Sequence, residues 1–303
     1  MPALRDLVAE ELLTPVDAKV TAMASAIAAK HGPASRAVLF YGSCLRQKQL
    51  EGLMLDFYLI VSDYRAAYGN SWLAIANRLI PPNVFYFEHG GLVAKYAVLS
   101  EADFARECGP AAFTVSTVAR FAQPARLVWC ADDEAKRRVL DAVSSSAPTL
   151  LDWTLPVAEG ETPEEIWKSA FRLTFAAELR AERADRSSSI VDADPQRYYQ
   201  FGLRALQEVA ERRGVGPAFE VPLAMSEAQA KRWWKKMQRR GKWYSVARLA
   251  KASFTFAGGV DYIAWKINRH AGTDIQIKPW QRRWPLLAAI SLLPRLLRSG
   301  AVR

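Results

Sequence analysis

Histidine and cysteine are scarce in this chain, three of each. Cys44, Cys108 and Cys130 are odd in number and widely spaced. That excludes a disulfide framework and the close spacing of zinc ligands, and it points to a reducing compartment. His31, His89 and His270 form no ligand pattern, so each reads as structural or solvent-facing. No stretch approaches the roughly 18 apolar residues of a membrane-spanning helix, and no internal repeat is present. The opening, MPALRDLVAEELLTPVDAK, carries early acids and no apolar core, so neither a secretory signal nor a mitochondrial transit peptide is expected.

What is present is uneven. From Lys231 onward 17 Lys/Arg stand against 2 acids, a local +15, which leaves −5 for residues 1–230. Six of the ten tryptophans lie in the same basic stretch. An anionic partner fits it, either lipid headgroups or nucleic acid. The 303 residues, 50% hydrophobic, suffice for a full core.

The most informative segment is residues 38–61, VLFYGSCLRQKQLEGLMLDFYLIV. Val38–Tyr41 and Leu55–Val61 read as buried strands. Gly42 and Ser43 follow the first strand, where glycine admits a close ligand and serine can bond phosphate oxygen. Asp56 opens the second strand, with twelve residues between it and Ser43. A phosphate-binding turn beside a metal-capable carboxylate points to phosphoryl or nucleotidyl transfer. The spacing resembles the polymerase-β-like nucleotidyltransferase superfamily, which places a second acid two residues after the first. Here that position is Tyr58, on the same strand face as Asp56. Asp63 is no substitute, being about 23 Å further along and on the opposite face.

Local patterns predict a mixed α/β domain over residues 1–148, a helical domain over 149–225, and a basic, tryptophan-rich helical tail over 226–303. A helix is expected over 2–30, interrupted at Pro15, and another over 71–79. A hairpin is expected around His89-Gly90-Gly91, with Ser100 capping the helix after it. Arg126–Cys130 reads as a strand and 134–143 as a helix. Residues 144–148 read as a break in composition. Thr162-Pro163-Glu164-Glu165 starts a helix expected to run to about Arg186. Further helices are expected over 195–213 and 226–257.

Four segments, in order, resemble the peripheral phosphatidate cytidylyltransferases (CDP-diacylglycerol synthases) of the mitochondrial translocator assembly and maintenance type, which also occur in bacteria. They are Phe40-Tyr41-Gly42-Ser43 with Met54-Leu55-Asp56-Phe57; Val84-Phe85-Tyr86-Phe87 with Lys95-Tyr96-Ala97-Val98-Leu99-Ser100; Arg120-Phe121-Ala122-Gln123-Pro124; and Leu173-Thr174-Phe175-Ala176-Ala177-Glu178-Leu179-Arg180. They span roughly residues 38–210. Cys44, Ala177 and Glu178 depart from the family pattern, which has Gly, Gly and Asp there.

The resemblance implies transfer of CMP from CTP to phosphatidic acid with Mg2+, on the inner face of a bacterial cytoplasmic membrane, with no nucleic acid partner. It implies Asp56 and Glu178 as magnesium ligands and Asp56, Glu178 and Lys95 as the catalytic set. Gly42, Ser43, Arg120 and Arg180 would bind the nucleotide. The segment Pro285–Leu297, flanked by Trp280, Arg282, Arg283, Trp284, Arg295 and Arg298, reads as an interfacial helix. Two alternatives stay open from the residues themselves: a soluble nucleotidyltransferase acting on RNA or a small molecule, and a non-catalytic nucleotide- or membrane-binding module.

Overall fold

The computed structural model describes residues 2–47, 50, 52–178, 186–214, 223, 225–255 and 276–283; for 46–47, 186–188, 249–250, 252–255 and 282–283 it describes the backbone alone. Helix α1 (Leu4–Leu12) and α2 (Ala18–His31) replace the interrupted helix expected at the start. Strand β1 (Ser35–Tyr41) leads through α3 (Ser43–Gln47) to β2 (Met54–Val61). Two helices, α4 (Tyr64–Tyr68) and α5 (Trp72–Leu79), precede the hairpin of β3 (Asn83–His89) and β4 (Leu92–Ser100). Next come α6 (Glu101–Cys108), α7 (Val115–Phe121), β5 (Ala125–Cys130), α8 (Asp133–Ser144) and α9 (Ser146–Thr154). The remaining helices are α10 (Pro163–Phe175), α11 (Arg186–Asp192), α12 (Pro195–Arg212), α13 (Glu227–Thr255) and α14 (Pro279–Arg283).

The five strands form one mixed sheet in the order β3-β4-β2-β1-β5. Only β2 and β4 run parallel. The expected mixed α/β architecture with helices following is therefore what the chain adopts. Side chains alternate across a strand, and both faces of this sheet are covered. Val38, Phe40, Phe57, Leu59, Tyr96 and Val98 point to one face, where α2 seats Val20, Met23 and Ile27. Leu39, Tyr58, Ile60 and Leu99 point to the other, into a cluster that runs from Leu4 of α1 through Trp167 of α10 to Trp234 and Met237 of α13. Asp56, two residues before Tyr58, shares this second face.

Local signals placed the helix starts well. Ser100 Oγ accepts from the Asp103 N–H at 3.1 Å, and Thr162 and Glu165 form the expected capping box. Asp63 caps α4 through the N–H groups of Arg65 and Ala66. Two expectations are corrected. The boundary expected at 148 falls inside a helix, Ser146–Thr154, with Leu150 and Leu151 fully buried; the chain passes from one helix to the next earlier, at Ser145. The helix expected to reach Arg186 stops at Phe175. Its last turn tightens, with Ala177 N–H to Thr174 O at 3.0 Å and Glu178 N–H to Phe175 O at 3.2 Å. Helix α13 crosses at that point. A Cβ on Gly241 would stand 2.3 Å from Ala177 O, so α13 packs directly on the carbonyl that a continuing helix would use. Only glycine permits that approach.

Candidate active site

The parallel pairing of β2 and β4 sets Lys95 directly beside Asp56, and the antiparallel pairing of β1 and β2 sets Tyr41 on the other side. Tyr41, Asp56 and Lys95 thus form a row across three strands on the face opposite α2. Lys95 Nζ lies 3.1 Å from Asp56 Oδ1, with the lysine 45% exposed and the aspartate 18%. An ion pair this open contributes little to stability, so the ammonium can turn to another anion at small cost.

Gly42 closes over the row. Its φ is +95°, and a Cβ there would stand 2.9 Å from Asp56 Oδ2. The turn therefore presents bare backbone to the carboxylate. Ser43 follows, half-buried, at the first residue of α3. Cys44, where the family has glycine, tucks inward instead of crowding the turn. It is buried, and its thiol donates to Met54 O at 3.5 Å. Burial and then the neighbouring Asp56 push the Cys44 pKa up, so the thiol stays protonated and inert near neutral pH.

Beneath the row lies Arg120, projected from the last turn of α7. Its Nη1 donates to the Tyr58 hydroxyl at 2.9 Å, and its guanidinium lies 5.0 Å from the Tyr41 ring and 5.7 Å from the Tyr58 ring. Burial works against its charge, but Tyr58, Tyr41, Glu178 and Asp56 outweigh burial and raise its pKa well above the ordinary value. Tyr58 thus holds an organic cation where the superfamily pattern puts a metal-binding acid.

Glu178 is not helical as expected. It sits in the turn that ends α10, half-buried, close enough to Arg120 and to Arg248 of α13 to act on both electrostatically. The fold therefore gathers Gly42, Asp56, Lys95, Arg120 and Glu178, which lie far apart in sequence. Arg180, Trp284, Arg295 and Arg298 lie outside the described residues. Trp280 is exposed on α14, and Arg282 and Arg283 are described there by backbone only. His31 is enclosed by Tyr68, Phe85 and Tyr96 on the opposite core, and burial lowers its pKa. His89 is exposed at the end of β3, and His270 lies outside the described residues.

Magnesium can be tested against the donors present. Among the described residues no three His, Cys, Asp or Glu side chains converge as a metal cage. Asp56 and Glu178 both flank Arg120, and one of them is already paired with a lysine. Two carboxylates suit a magnesium ion that enters on phosphate groups, since that ion is commonly held by one or two carboxylates plus substrate oxygens. They do not suit an ion held by protein alone.

Sequence reasoning missed Arg248, hidden among nine Lys/Arg of α13. It is largely enclosed and donates through Nε to Pro81 O at 2.7 Å. No protein-family model matches the chain, and no curated protein does. Among solved structures, the chain is similar to a nucleotidyltransferase-like protein from Exiguobacterium sibiricum 255-15, with a TM-score of 0.30 and 11% identity over 93% of this chain and 92% of that one.

Proposed function

We propose that the chain is a nucleotidyltransferase and, more finely, a phosphatidate cytidylyltransferase. It would join CMP from CTP to phosphatidic acid, giving CDP-diacylglycerol and pyrophosphate. One observation carries the transferase reading: the Asp56 carboxylate lies under the bare backbone of Gly42, beside a releasable Lys95 and above Arg120. That row offers close approach, a mobile cation and a fixed cation to one run of phosphates.

In the proposed reaction a phosphate oxygen of the acceptor forms a bond to the α-phosphorus. The α–β anhydride bond breaks, and its electron pair leaves with pyrophosphate. Gly42 and Ser43 would hold the β,γ-phosphates. Lys95 would leave Asp56 and meet the charge that grows on pyrophosphate, and Arg120 would fix the field beneath the row. No side chain has to remove a proton, because a phosphomonoester is already ionised near neutral pH. Magnesium, entering with CTP and held by Asp56 with Glu178, would supply further charge neutralisation on phosphate oxygens.

The lipid acceptor draws support from α13. Its outward side exposes Lys231, Arg232, Lys235, Lys236, Arg239 and Lys242 next to Trp243, which is 77% exposed. Among the described residues no helix is long and apolar enough to cross a membrane, so the proposed contact is peripheral, on an anionic surface at the cytoplasmic face. A non-catalytic module is the second reading, favoured by Tyr58 in place of an acid.

Pyrophosphate release from CTP, magnesium and phosphatidate in mixed micelles is the test. Release should depend on phosphatidate and fall about 10²-fold or more in Asp56→Ala. Turnover with a different nucleotide or acceptor would keep the transferase and discard the lipid reading. Nucleotide binding without any turnover would leave the non-catalytic module.

A further inference from the structure

Between α5, α6 and α13 lies a cavity of about 230 Å3. Its walls include Arg78, Arg106, Glu107, Phe113, Tyr244 and Arg248. Three guanidiniums from three helices therefore meet at one small space.

Only one of the three is paired among the described residues of the protein. Arg106 is neutralised, by Asp103 at 2.5 Å and Glu107 at 3.0 Å. Glu107, 3% exposed, also accepts from the N–H groups of Phe113 at 3.2 Å and Thr114 at 3.4 Å, so its acceptor capacity is spent. Among the described residues no carboxylate forms an ion pair with Arg78 or Arg248. Arg248 is fixed by Pro81 O, while its two Nη atoms reach only Ser116 Oγ at 3.4 Å and Thr114 Oγ1 at 3.5 Å. These long bonds leave its outer donors weakly used. Glu107 and Glu178 act on Arg248 electrostatically without touching it, so an anion in the cavity would supply the direct charge contact that the protein omits.

Size and shape narrow the ligand. The cavity is smaller than the roughly 300–1,000 Å3 that encloses a drug-sized molecule, so it takes a head group and not a nucleotide. Guanidiniums arriving from different sides suit a tetrahedral, doubly charged group better than a flat carboxylate. Phe113 and Tyr244, with ring centroids 4.9 Å apart, give the wall an apolar part for the carbon stem. On α5, Trp72, Ile75 and Leu79 are exposed beside Arg78.

Arg248 is also close enough to Arg120 for the two cations to repel each other, and it feels Tyr58 and Glu178 of the site. We infer that this cavity is a phosphomonoester subsite, gripped by Arg78 and Arg248, that presents the acceptor phosphate to the Asp56 row. Its role as the acceptor subsite rests on the transferase reading; its capacity to bind phosphate does not.

The full chain is titrated calorimetrically with inorganic phosphate and with glycerol 3-phosphate, alongside Arg78→Gln and the conservative Arg248→Lys. Arg78 is exposed, so its replacement leaves the fold intact, which circular dichroism checks. Saturable binding weakened tenfold or more by Arg78→Gln upholds the subsite. Absent binding, or binding unchanged in both variants, overturns it. These titrations read the cavity even if no nucleotide is turned over, so failure of the transferase reading is separately visible. With turnover, Arg78→Gln should raise KM for the acceptor tenfold and leave KM for CTP unchanged; equal changes in both would overturn the acceptor role. Phosphate displaced only by phosphatidate micelles identifies a lipid source, and displacement by glycerol 3-phosphate identifies a soluble one.

Discussion

Gly42 is glycine for two independent reasons. A φ of +95° is outside the range an L side chain adopts without strain, and a Cβ would press on Asp56 Oδ2 at 2.9 Å. Gly42→Ala should therefore destabilise the fold by about 1–3 kcal/mol and push the Asp56 carboxylate off Lys95. The urea midpoint and nucleotide affinity should both fall; a variant with wild-type values for both would remove the turn from the site. Tyr58 shows the same economy of position. Its hydroxyl and ring hold Arg120, so one phenol both packs the row and fixes a cation beside Asp56.

At the scale of the element, α13 decides how the sheet is closed. Ala230, Trp234, Met237 and Gly241 form its inner seam at helical spacing, and Tyr244, Arg248 and Lys251 continue it. The Tyr244 hydroxyl donates to Leu79 O at 2.9 Å, and Lys251 Nζ donates to Ile80 O and to Pro82 O, the latter at 2.8 Å. Burial, reinforced by Arg248, lowers the Lys251 pKa to about 7 from 10.5. The sign follows from proton counting. Between about pH 7 and 10.5 the unfolded chain holds a proton on Lys251 that the folded chain has lost, so stability rises with pH across that window. Below pH 7 both states are protonated and the dependence ends. The unfolding free energy of the wild type minus that of Lys251→Met should thus grow from pH 7 to 10, by at most about 1.4 kcal/mol per unit. A flat difference would show that the two carbonyl groups keep the ammonium charged.

At the scale of the whole molecule, charge is segregated. Residues 1–230 carry −5 and the remainder +15, and α13 turns much of that positive charge outward. Each basic residue near an anionic bilayer contributes on the order of 1 kcal/mol, and salt screens the attraction. The chain should float with anionic vesicles at least tenfold better than with zwitterionic ones and lose the preference at high salt. Trp243→Ser should weaken flotation without altering the fold. Salt-sensitive RNA binding with no flotation would transfer the basic stretch to a nucleic acid partner.

Short-range patterns in the sequence determined the strands, the hairpin and the helix caps, and they put Gly42 at the end of one strand and Asp56 at the start of the next. Each of these depends on residues a few positions apart, where periodicity and backbone freedom act directly. Only the tertiary structure decided the rest. Lys95 reaches Asp56 because β4 returns parallel to β2 after a crossover through α4, α5 and β3, a register that no local pattern encodes. Helix α10 ends at Phe175 because Gly241, more than sixty positions later in the chain, brings α13 against Ala177 O. Arg248 looks like an ordinary charged helix position in sequence, and Arg120 stands out there only through the family resemblance, not through any local pattern. Their meaning comes from being enclosed together, since a guanidinium acquires a strong field only when the surrounding protein removes the water that would screen it.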